Sequence, residues 1–156
     1  MILLVDIGNT RVKWATQVDG RLSPQRAAGY AQWSAVNWQH HLFDGPPVER
    51  VLAATVAGGD SRQALEAAAR MAGVRRVDFV TSTAALAGVR NAYPDAGLLG
   101  VDRWVAVIGA HHLARAACCV VDVGTAATLD AVDASGQHLG GFIVPGPQLM
   151  VRSLHA

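Results

Sequence analysis

The sequence predicts an α/β protein built from two related halves, each with a mixed sheet. The first observation is an apolar strand that enters a tight turn at Asp6-Ile7-Gly8-Asn9-Thr10 and returns as a second, alternating strand. The second is a copy of this unit far along the chain, at Val121-Asp122-Val123-Gly124-Thr125-Ala126-Ala127-Thr128. The third is the order of elements after the first copy, which is typical of a sheet with helices on its faces.

The first half is predicted to run β-β-β-α-β-α-β. Its strands are expected at 2–7, 12–18, 21–28, 50–56 and 74–80, and its helices at 32–43 and 62–71. The first helix ends before Gly45-Pro46-Pro47, where glycine and proline interrupt the helical spacing. The second helix is rich in alanine, with Asp60 or Ser61 as its N-cap and Gly73 as its stop.

A crossover region is expected to connect the halves, with a short helix at 81–86, a loop at 88–100 and a helix at 102–115. The apolar side chains of this last helix are predicted to face inward: Trp104, Val105, Val107, Ile108, Ala110 and Leu113. The second half begins with an apolar run at 116–121, continues with strands at 128–132 and 137–144, and enters a helix after Pro147. Gly140-Gly141 predicts a bulge or a close backbone approach to a ligand.

The domain organisation expected from this pattern is an N-terminal half at 1–115 and the start of a C-terminal half at 116–156. The second half would be incomplete in this chain, because it lacks the later strands and helices of the first.

The N-terminal turn has the chemistry of a phosphate site. Gly8 permits a close backbone approach, and Asn9 and Thr10 add side-chain donors. Asp6, at the mouth of the strand, is placed to hold a hydrated Mg²⁺ that accompanies phosphates. The alternative is an ordinary hairpin in which Asp6 caps its own turn. The recurrence of the pattern at Asp122 favours the phosphate site.

Composition narrows the class of protein. The 156 residues are 51% hydrophobic and 16% charged, with a net charge of +1, which describes a compact protein without a nucleic-acid surface or a polybasic membrane patch. Cys118 and Cys119 are neighbours in a strand-like run, so they point to opposite faces and are expected to stay reduced. No apolar run is long enough to span a bilayer, and a cytoplasmic protein is expected.

Five ordered motifs sharpen the prediction: Asp-x-Gly-Asn-Thr with Lys13, Asn91-Ala92-Tyr93-Pro94, Gly100-Val101-Asp102-Arg103, Asp-x-Gly-Thr-Ala at 122–126, and Gly140-Gly141-Phe142-Ile143-Val144-Pro145-Gly146. The paired turns resemble the actin-like ATPase (ribonuclease H-like) fold of sugar kinases, acetate kinases and Hsp70-type chaperones. Together, the motifs resemble type III pantothenate kinase, the family that includes the Bordetella accessory factor protein. The resemblance runs from Met1 to about Gly146, and members of that family continue well beyond this point.

The resemblance implies a homodimer that phosphorylates pantothenate with Mg²⁺-ATP in the first step of coenzyme A synthesis. It implies that Asp102 takes the proton from the pantothenate hydroxyl, and that Arg103 binds the substrate carboxylate or orients the site. The other implied substrate positions are Asn91, Tyr93, Gly100 and Val101. The implied ATP and phosphate positions are Asp6, Gly8, Asn9, Thr10, Arg11, Val12, Lys13, Gly124, Thr125 and Thr128. Asp6 and Asp122 are the implied metal positions, with K⁺ or NH₄⁺ near the second half.

Simpler explanations exist for three of these positions. From spacing alone, Asp102 is better explained as a helix N-cap beside a cation, and the resemblance reverses that preference. Tyr93 and its neighbours suit an ordinary turn, and Lys13 suits a solvent-facing strand position.

Other functions also stay open. The first is a kinase for another small alcohol, or an acyl-phosphate enzyme, which the segment from Asn91 to Arg103 argues against. The second is a nucleotide-binding regulatory protein without catalysis. Near-neutral charge and the lack of a helix-turn-helix pattern count against direct DNA binding.

Overall fold

A computed structural model describes residues 1–154, and the chain divides into two compact units. The first unit is Met1–Val80, and the second begins at Thr81. The sequence-based division into 1–115 and 116–156 stays a prediction.

The first unit is a six-stranded mixed sheet centred on β1 (Ile2–Ile7). β1 lies between antiparallel β2 (Arg11–Val18) and parallel β5 (Arg50–Thr55). The remaining strands are β3 (Arg21–Leu22) and β4 (Arg26–Gly29), both paired with β2, and β6 (Arg76–Phe79), paired with β5.

Two helices cover one face of this sheet. They are α1 (Ala35–Phe43) and α2 (Gly59–Met71), and both contribute side chains to the core. Period-2 alternation in β1 sends Leu3, Val5 and Ile7 into that core, where each is at most 4% exposed. This burial fixes β1, and so fixes the start of the turn that follows it.

The second unit is built on a three-stranded antiparallel sheet. Its order is β11 (His138–Pro145), β10 (Ala126–Val132) and β9 (Cys118–Val123). The helix α3 (Val101–Ala114) packs on β9 and β10 around buried Trp104, Val107 and Val132. The smaller elements are β7 (Ala85–Leu86), β8 (Val89–Arg90), a 3-10 turn at Ala96–Leu98 and α4 (Pro147–Ser153).

Two predictions for the first unit were wrong in detail. The single strand expected at 21–28 is split into β3 and β4, because Pro24 has no N–H and the Ser23 hydroxyl accepts a hydrogen bond from Thr16 N instead. The N-cap of α2 is Gly58 rather than Asp60 or Ser61. Ser61 lies inside the helix, where its hydroxyl donates back to Gly58 O. The predicted stop is confirmed, since Gly73 has a φ of 76°.

The helix expected at 81–86 does not form. The chain makes the hairpin β7–β8 there, and Ala87 and Gly88 both have positive φ, as a two-residue hairpin turn of type I′ requires. The segment 88–100 is therefore only partly the predicted loop, because it contains β8 and the 3-10 turn.

The inward-facing set predicted for α3 was too broad. Trp104 and Val107 are buried, but Leu113 is 89% exposed and Val105 is also exposed. The helix is apolar on most sides, so its sequence period does not select the face that packs on the sheet.

Two predictions for the second sheet are confirmed. A register irregularity lies where Ala131 pairs with Gly140 and Val132 pairs with His138, and Gly140 has a φ of 104°. Cys118 and Cys119 are both free thiols, one half-buried and the other exposed. Among residues 1–154, we find no helix whose length and apolar character would let it cross a membrane.

Candidate functional site

The turn between β1 and β2 places an acid and a base side by side. Gly8 N donates to Arg11 O at 3.0 Å, and this hydrogen bond closes the four-residue turn between the paired Ile7 and Val12. Asp6 pairs with Lys13 across the strands, with 3.6 Å between Lys13 Nζ and Asp6 Oδ2. About two fifths of each side chain is exposed, 40% and 41%, so both reach solvent at the turn. Asn9, Thr10 and Arg11 are exposed beside them.

The hydroxyl group of Tyr30, which was not predicted to be a site residue, stabilises this turn. Tyr30 follows β4, and its hydroxyl donates to Gly8 O at 2.6 Å. Its ring packs edge-on against Trp38, which is 1% exposed. Burial raises the pKa of Tyr30, so the phenol keeps the proton that it donates. Because Tyr30 is 22 residues from Gly8, no local pattern could reveal the contact.

The turn between β9 and β10 is one residue shorter. Gly124 N donates to Ala126 O at 2.8 Å between the paired Val123 and Ala127. Asp122 here faces Thr128 rather than a lysine. Gly146 N donates to Thr125 O at 2.9 Å, and a Cβ on Gly146 would collide with Gly124 O. Gly146 therefore lets the end of β11 approach the turn through backbone contacts.

Asp102 is the second residue of α3, and the N-cap is Gly100. Its Oδ1 accepts from Arg103 N at 2.8 Å, so the half-buried carboxylate takes one of the amides that the first helical turn leaves without a helical partner. The N-cap explanation for Asp102 is therefore not the arrangement found. Its assignment as a catalytic base stays a prediction.

Arg103 forms a two-pronged ion pair with Asp130 on β10. Its Nε lies 2.8 Å from Asp130 Oδ2, and its Nη2 lies 2.7 Å from Oδ1. Asp130 is 2% exposed, and the Arg103 side chain is 11% exposed. The hydrogen bonds that Arg103 donates to Asp130 raise the pKa of Arg103 above its ordinary value, with a smaller contribution from the Tyr93 phenol. Arg103 is thus fully charged and held by a protein carboxylate.

The segment after β8 meets the same ion pair. Asn91 Oδ1 accepts from Tyr93 N at 2.9 Å, which is the turn chemistry expected from these residues. The Tyr93 ring stacks on His138, with 6.2 Å between centroids and 11° between planes. His138 Nε2 lies 2.9 Å from Asp130 Oδ1. The structure therefore gathers Tyr93 and Arg103, the residue next to Asp102, around Asp130.

Asp130 and His138 were not predicted from the sequence. Both lie at polar positions of alternating strands, which is the usual pattern of a solvent-facing side chain. Tertiary contacts bury them: α3 packs on β10 and pairs Arg103 with Asp130, and the Tyr93 ring stacks on His138.

The donors at the two turns suit a metal that arrives with a phosphate ligand. No group of three or more histidine, cysteine, aspartate or glutamate side chains within residues 1–154 is placed to hold a metal ion. Asp6 and Asp122 each offer one carboxylate beside a turn. Mg²⁺ commonly binds through one or two carboxylates together with water and substrate phosphates, so each of these aspartates, taken by itself, fits that ion.

Comparison with known sequences identifies close relatives. The family model for type III pantothenate kinase matches residues 2–156. A type III pantothenate kinase of Aromatoleum aromaticum is 43% identical over 154 residues, covering 99% of this chain and 62% of that protein. One from Azoarcus sp. strain BH72 is 41% identical, covering 99% and 58%. The chain thus spans about three fifths of the length of these curated relatives.

Comparison with solved structures gives the fold. A Baf family protein from Campylobacter jejuni matches with a TM-score of 0.54 at 20% identity, covering 99% of this chain and 60% of that one. The ADPNP-bound activator of 2-hydroxyisocaproyl-CoA dehydratase from Clostridium difficile matches with a TM-score of 0.54 at 11% identity, covering 99% and 52%. At such identities the likeness concerns the fold alone, and the actin-like ATPase class predicted from the paired turns is confirmed.

Proposed function

The chain belongs to the type III pantothenate kinase family, and from this premise we propose that the complete protein phosphorylates pantothenate with ATP. The product would be 4′-phosphopantothenate, in the first step of coenzyme A synthesis. The observation that carries the proposal is the position of Asp102. Its half-buried carboxylate lies in the first turn of α3, beside an arginine that Asp130 holds in place.

The phosphate end of the proposed reaction uses the two turns. Lys13 neutralises charge on the phosphate oxygens, and Asp6, which lies 3.6 Å from Lys13 Nζ, would hold the hydrated cation that accompanies ATP. Gly8, Asn9, Thr10, Arg11 and Val12 of the first turn, with Gly124, Thr125 and Thr128 of the second, supply backbone and side-chain contacts to phosphate. Mg²⁺ bound with ATP supplies further neutralisation of the charge on the transferred group.

The acid–base end uses the residues near α3. Asp102 accepts the proton of the pantothenate hydroxyl as its oxygen attacks the γ-phosphorus of ATP. The new O–P bond forms while the bond from phosphorus to the β,γ-bridging oxygen breaks, and ADP leaves. Asp102 then releases its proton to water. Asn91, Tyr93, Gly100, Val101 and Arg103 bind or orient pantothenate.

The decisive experiment compares the complete protein with an Asp102→Asn variant in a pantothenate-dependent ADP-release assay. We expect kcat to fall about 10²- to 10⁴-fold, because an amide cannot accept the proton. The matched control is Asp60→Asn, which alters the acidic residue in the first turn of α2 and is expected to leave kcat unchanged. Equal turnover by wild type and Asp102→Asn would remove Asp102 from the mechanism.

A panel of small alcohols in the same assay tests the substrate. Faster turnover of another alcohol than of pantothenate would favour the kinase alternative. ATP binding without pantothenate-dependent ADP release would favour a nucleotide-binding regulatory protein.

The remaining parts of the proposal concern cofactors, assembly and location. We expect a homodimer, a requirement for Mg²⁺, and stimulation by K⁺ or NH₄⁺ bound near the second half. Activity in Na⁺ buffer against K⁺ buffer tests the cation, and light scattering of the complete protein tests the dimer. The cytoplasmic location expected from the sequence belongs to the same proposal.

A further inference from the structure

The ion pair between Arg103 and Asp130 is a buried junction in the second unit. It joins α3, which carries Asp102, to β10, and it reaches β11 through His138. We propose that Asp130 and His138 are positioning residues that hold Arg103 and Tyr93 in place for pantothenate. This inference rests on the proposed function, because it assigns a task within the same site.

Arg103 has little freedom to leave its position. Asp130 occupies both Nε and Nη2, so it fixes the plane of the guanidinium as well as its location. If the arginine swung away, the 2% exposed Asp130 would lose its main charged partner inside the protein. Such a loss is strongly unfavourable for a buried carboxylate. Arg103 therefore presents its remaining N–H groups in a constant direction.

His138 connects the same carboxylate to the backbone of the 91–93 segment. Ala92 N donates to His138 Nδ1 at 3.4 Å, so Nδ1 carries the lone pair. In the neutral ring the proton is then on Nε2, which donates to Asp130 Oδ1 at 2.9 Å. One path thus runs from Asp130 through His138 to Ala92 N.

Tyr93 also has an electrostatic connection to the junction, because its phenol helps to raise the pKa of Arg103, which Asp130 holds in place. The Tyr93 ring also stacks on His138, so both connections meet at this side chain. These two connections together determine the position of the Tyr93 ring better than either one alone. This arrangement is what a rigid substrate-binding segment needs.

Gly141 provides the space for the junction. A Cβ at this position would collide with Leu129 O and Asp130 Oδ1, and would lie 2.8 Å from Arg103 Nη2. The Gly140-Gly141 motif, predicted to form a bulge or to approach a ligand closely, here brings β11 close to the ion pair. A function for the motif therefore follows from packing inside this unit.

The competing explanation is that the junction only stabilises the fold. The two explanations differ in the kinetics of Asp130→Asn in the complete protein. A positioning role raises KM for pantothenate about 10- to 100-fold, because small displacements of substrate-binding groups have large effects, and leaves KM for ATP nearly unchanged. A purely structural role lowers the melting temperature and leaves the pantothenate KM at the wild-type value, which would overturn the inference.

If Asp130→Asn does not fold, variants of His138 provide a second test of the positioning role. His138→Gln can still donate from its amide nitrogen to Asp130, whereas His138→Leu cannot. We expect the leucine variant to raise the pantothenate KM and the glutamine variant to restore it at least in part. Equal pantothenate KM values for wild type and the leucine variant, both folded, would contradict the proposal.

Hydrogen exchange provides a readout that does not depend on turnover. Asp130→Asn should speed amide exchange of Ala92 and Tyr93 while leaving β1 unchanged. The control is Asp78→Asn, which removes a carboxylate paired with Arg50 and Arg76 in the first unit and should not alter the 91–93 segment.

The two readouts separate the possible failures. Exchange at Ala92 and Tyr93 that stays at the wild-type rate in Asp130→Asn overturns the positioning role. A wild-type protein that does not turn over pantothenate overturns the proposed function, and faster exchange in Asp130→Asn would still support the fixing of Tyr93.

Discussion

The two hairpins share a sequence pattern but bury opposite faces. Val5 and Ile7 on β1 are 4% and 0% exposed, whereas Val121 and Val123 at the matching places on β9 are 62% and 61% exposed. The returning strands β2 and β10 also bury opposite faces. Asp130 is buried at the place that Ala15 occupies on β2, since Ala15 pairs with Leu4 and Asp130 with Val120.

The difference shows which properties are local and which come from packing. The strand, turn and return follow from the nearby residues in both copies, and in both an aspartate precedes the turn. The buried face is chosen by the helices, because α1 and α2 share a core with Val5 while α3 shares one with Val132. In the second hairpin, α3 covers the face that carries Asp130, and the buried ion pair with Arg103 lies there.

Alanine substitutions at Gly146 and Gly124 test how strongly each glycine is required for the structure of the second turn. Gly146→Ala should lower the free energy of unfolding by about 3 kcal/mol, because the added Cβ overlaps the carbonyl of Gly124 and the backbone must shift. Gly124→Ala should cost less than about 1 kcal/mol, since its Cβ would lie 3.9 Å from Ala126 O. Denaturant titration of both variants measures this. Similar losses for the two would mean that the turn is not held by contact with Gly146.

A pair of valine substitutions tests the inverted burial directly. In the 156-residue chain, Val5→Ala should lower the free energy of unfolding by about 2 kcal/mol, through lost burial and a cavity. Val121→Ala should change it by less than about 0.5 kcal/mol, because the side chain is largely in solvent. Denaturant titration again gives the values. A loss at Val121 as large as that at Val5 would refute the difference between the hairpins.

Tyr30→Phe tests the hydrogen bond from the Tyr30 hydroxyl to Gly8 O in the first turn. Removing the hydroxyl should lower the free energy of unfolding by about 1 kcal/mol and raise KM for ATP in the complete protein, because Gly8 O loses its donor. Thermal melts and kinetics measure the two effects.

The difference in the free energy of unfolding between wild type and Tyr30→Phe should also depend on pH in the alkaline range, in a direction that the pKa of Tyr30 determines. The pKa of Tyr30 is raised by burial, so its contribution is complete below the ordinary tyrosine pKa of about 10 and is lost as pH rises through the folded-state value. The stability difference between wild type and Tyr30→Phe should therefore be constant below about pH 10 and shrink above it. A difference that grows above that pH would contradict the assigned contact.

Local patterns predicted the elements that depend on local chemistry. An apolar run predicted β1, alternation predicted β2 and β10, and the match between Asp6 and Asp122 located both turns. The helix expected at 81–86 failed because the left-handed pair Ala87-Gly88 favours a hairpin, and Ala87 is an unusual residue for that conformation.

The site residues that escaped prediction act over long distances in the chain. Tyr30 contacts Gly8, and Asp130 contacts Arg103 across 27 residues. Period-2 alternation identifies two faces of a strand but does not say which one a helix will cover. Asp130 therefore had the sequence signature of a surface residue, and its burial depended on α3.

The position of β9 has a consequence for handling the polypeptide. Within residues 1–154, β9 pairs only with β10, so its other side presents a row of backbone donors and acceptors flanked by exposed Val121 and Val123. Such an edge is a template for pairing with another chain. The apparent mass of this polypeptide in light scattering should therefore rise with protein concentration, and a charged substitution at the exposed Val121 should reduce that rise.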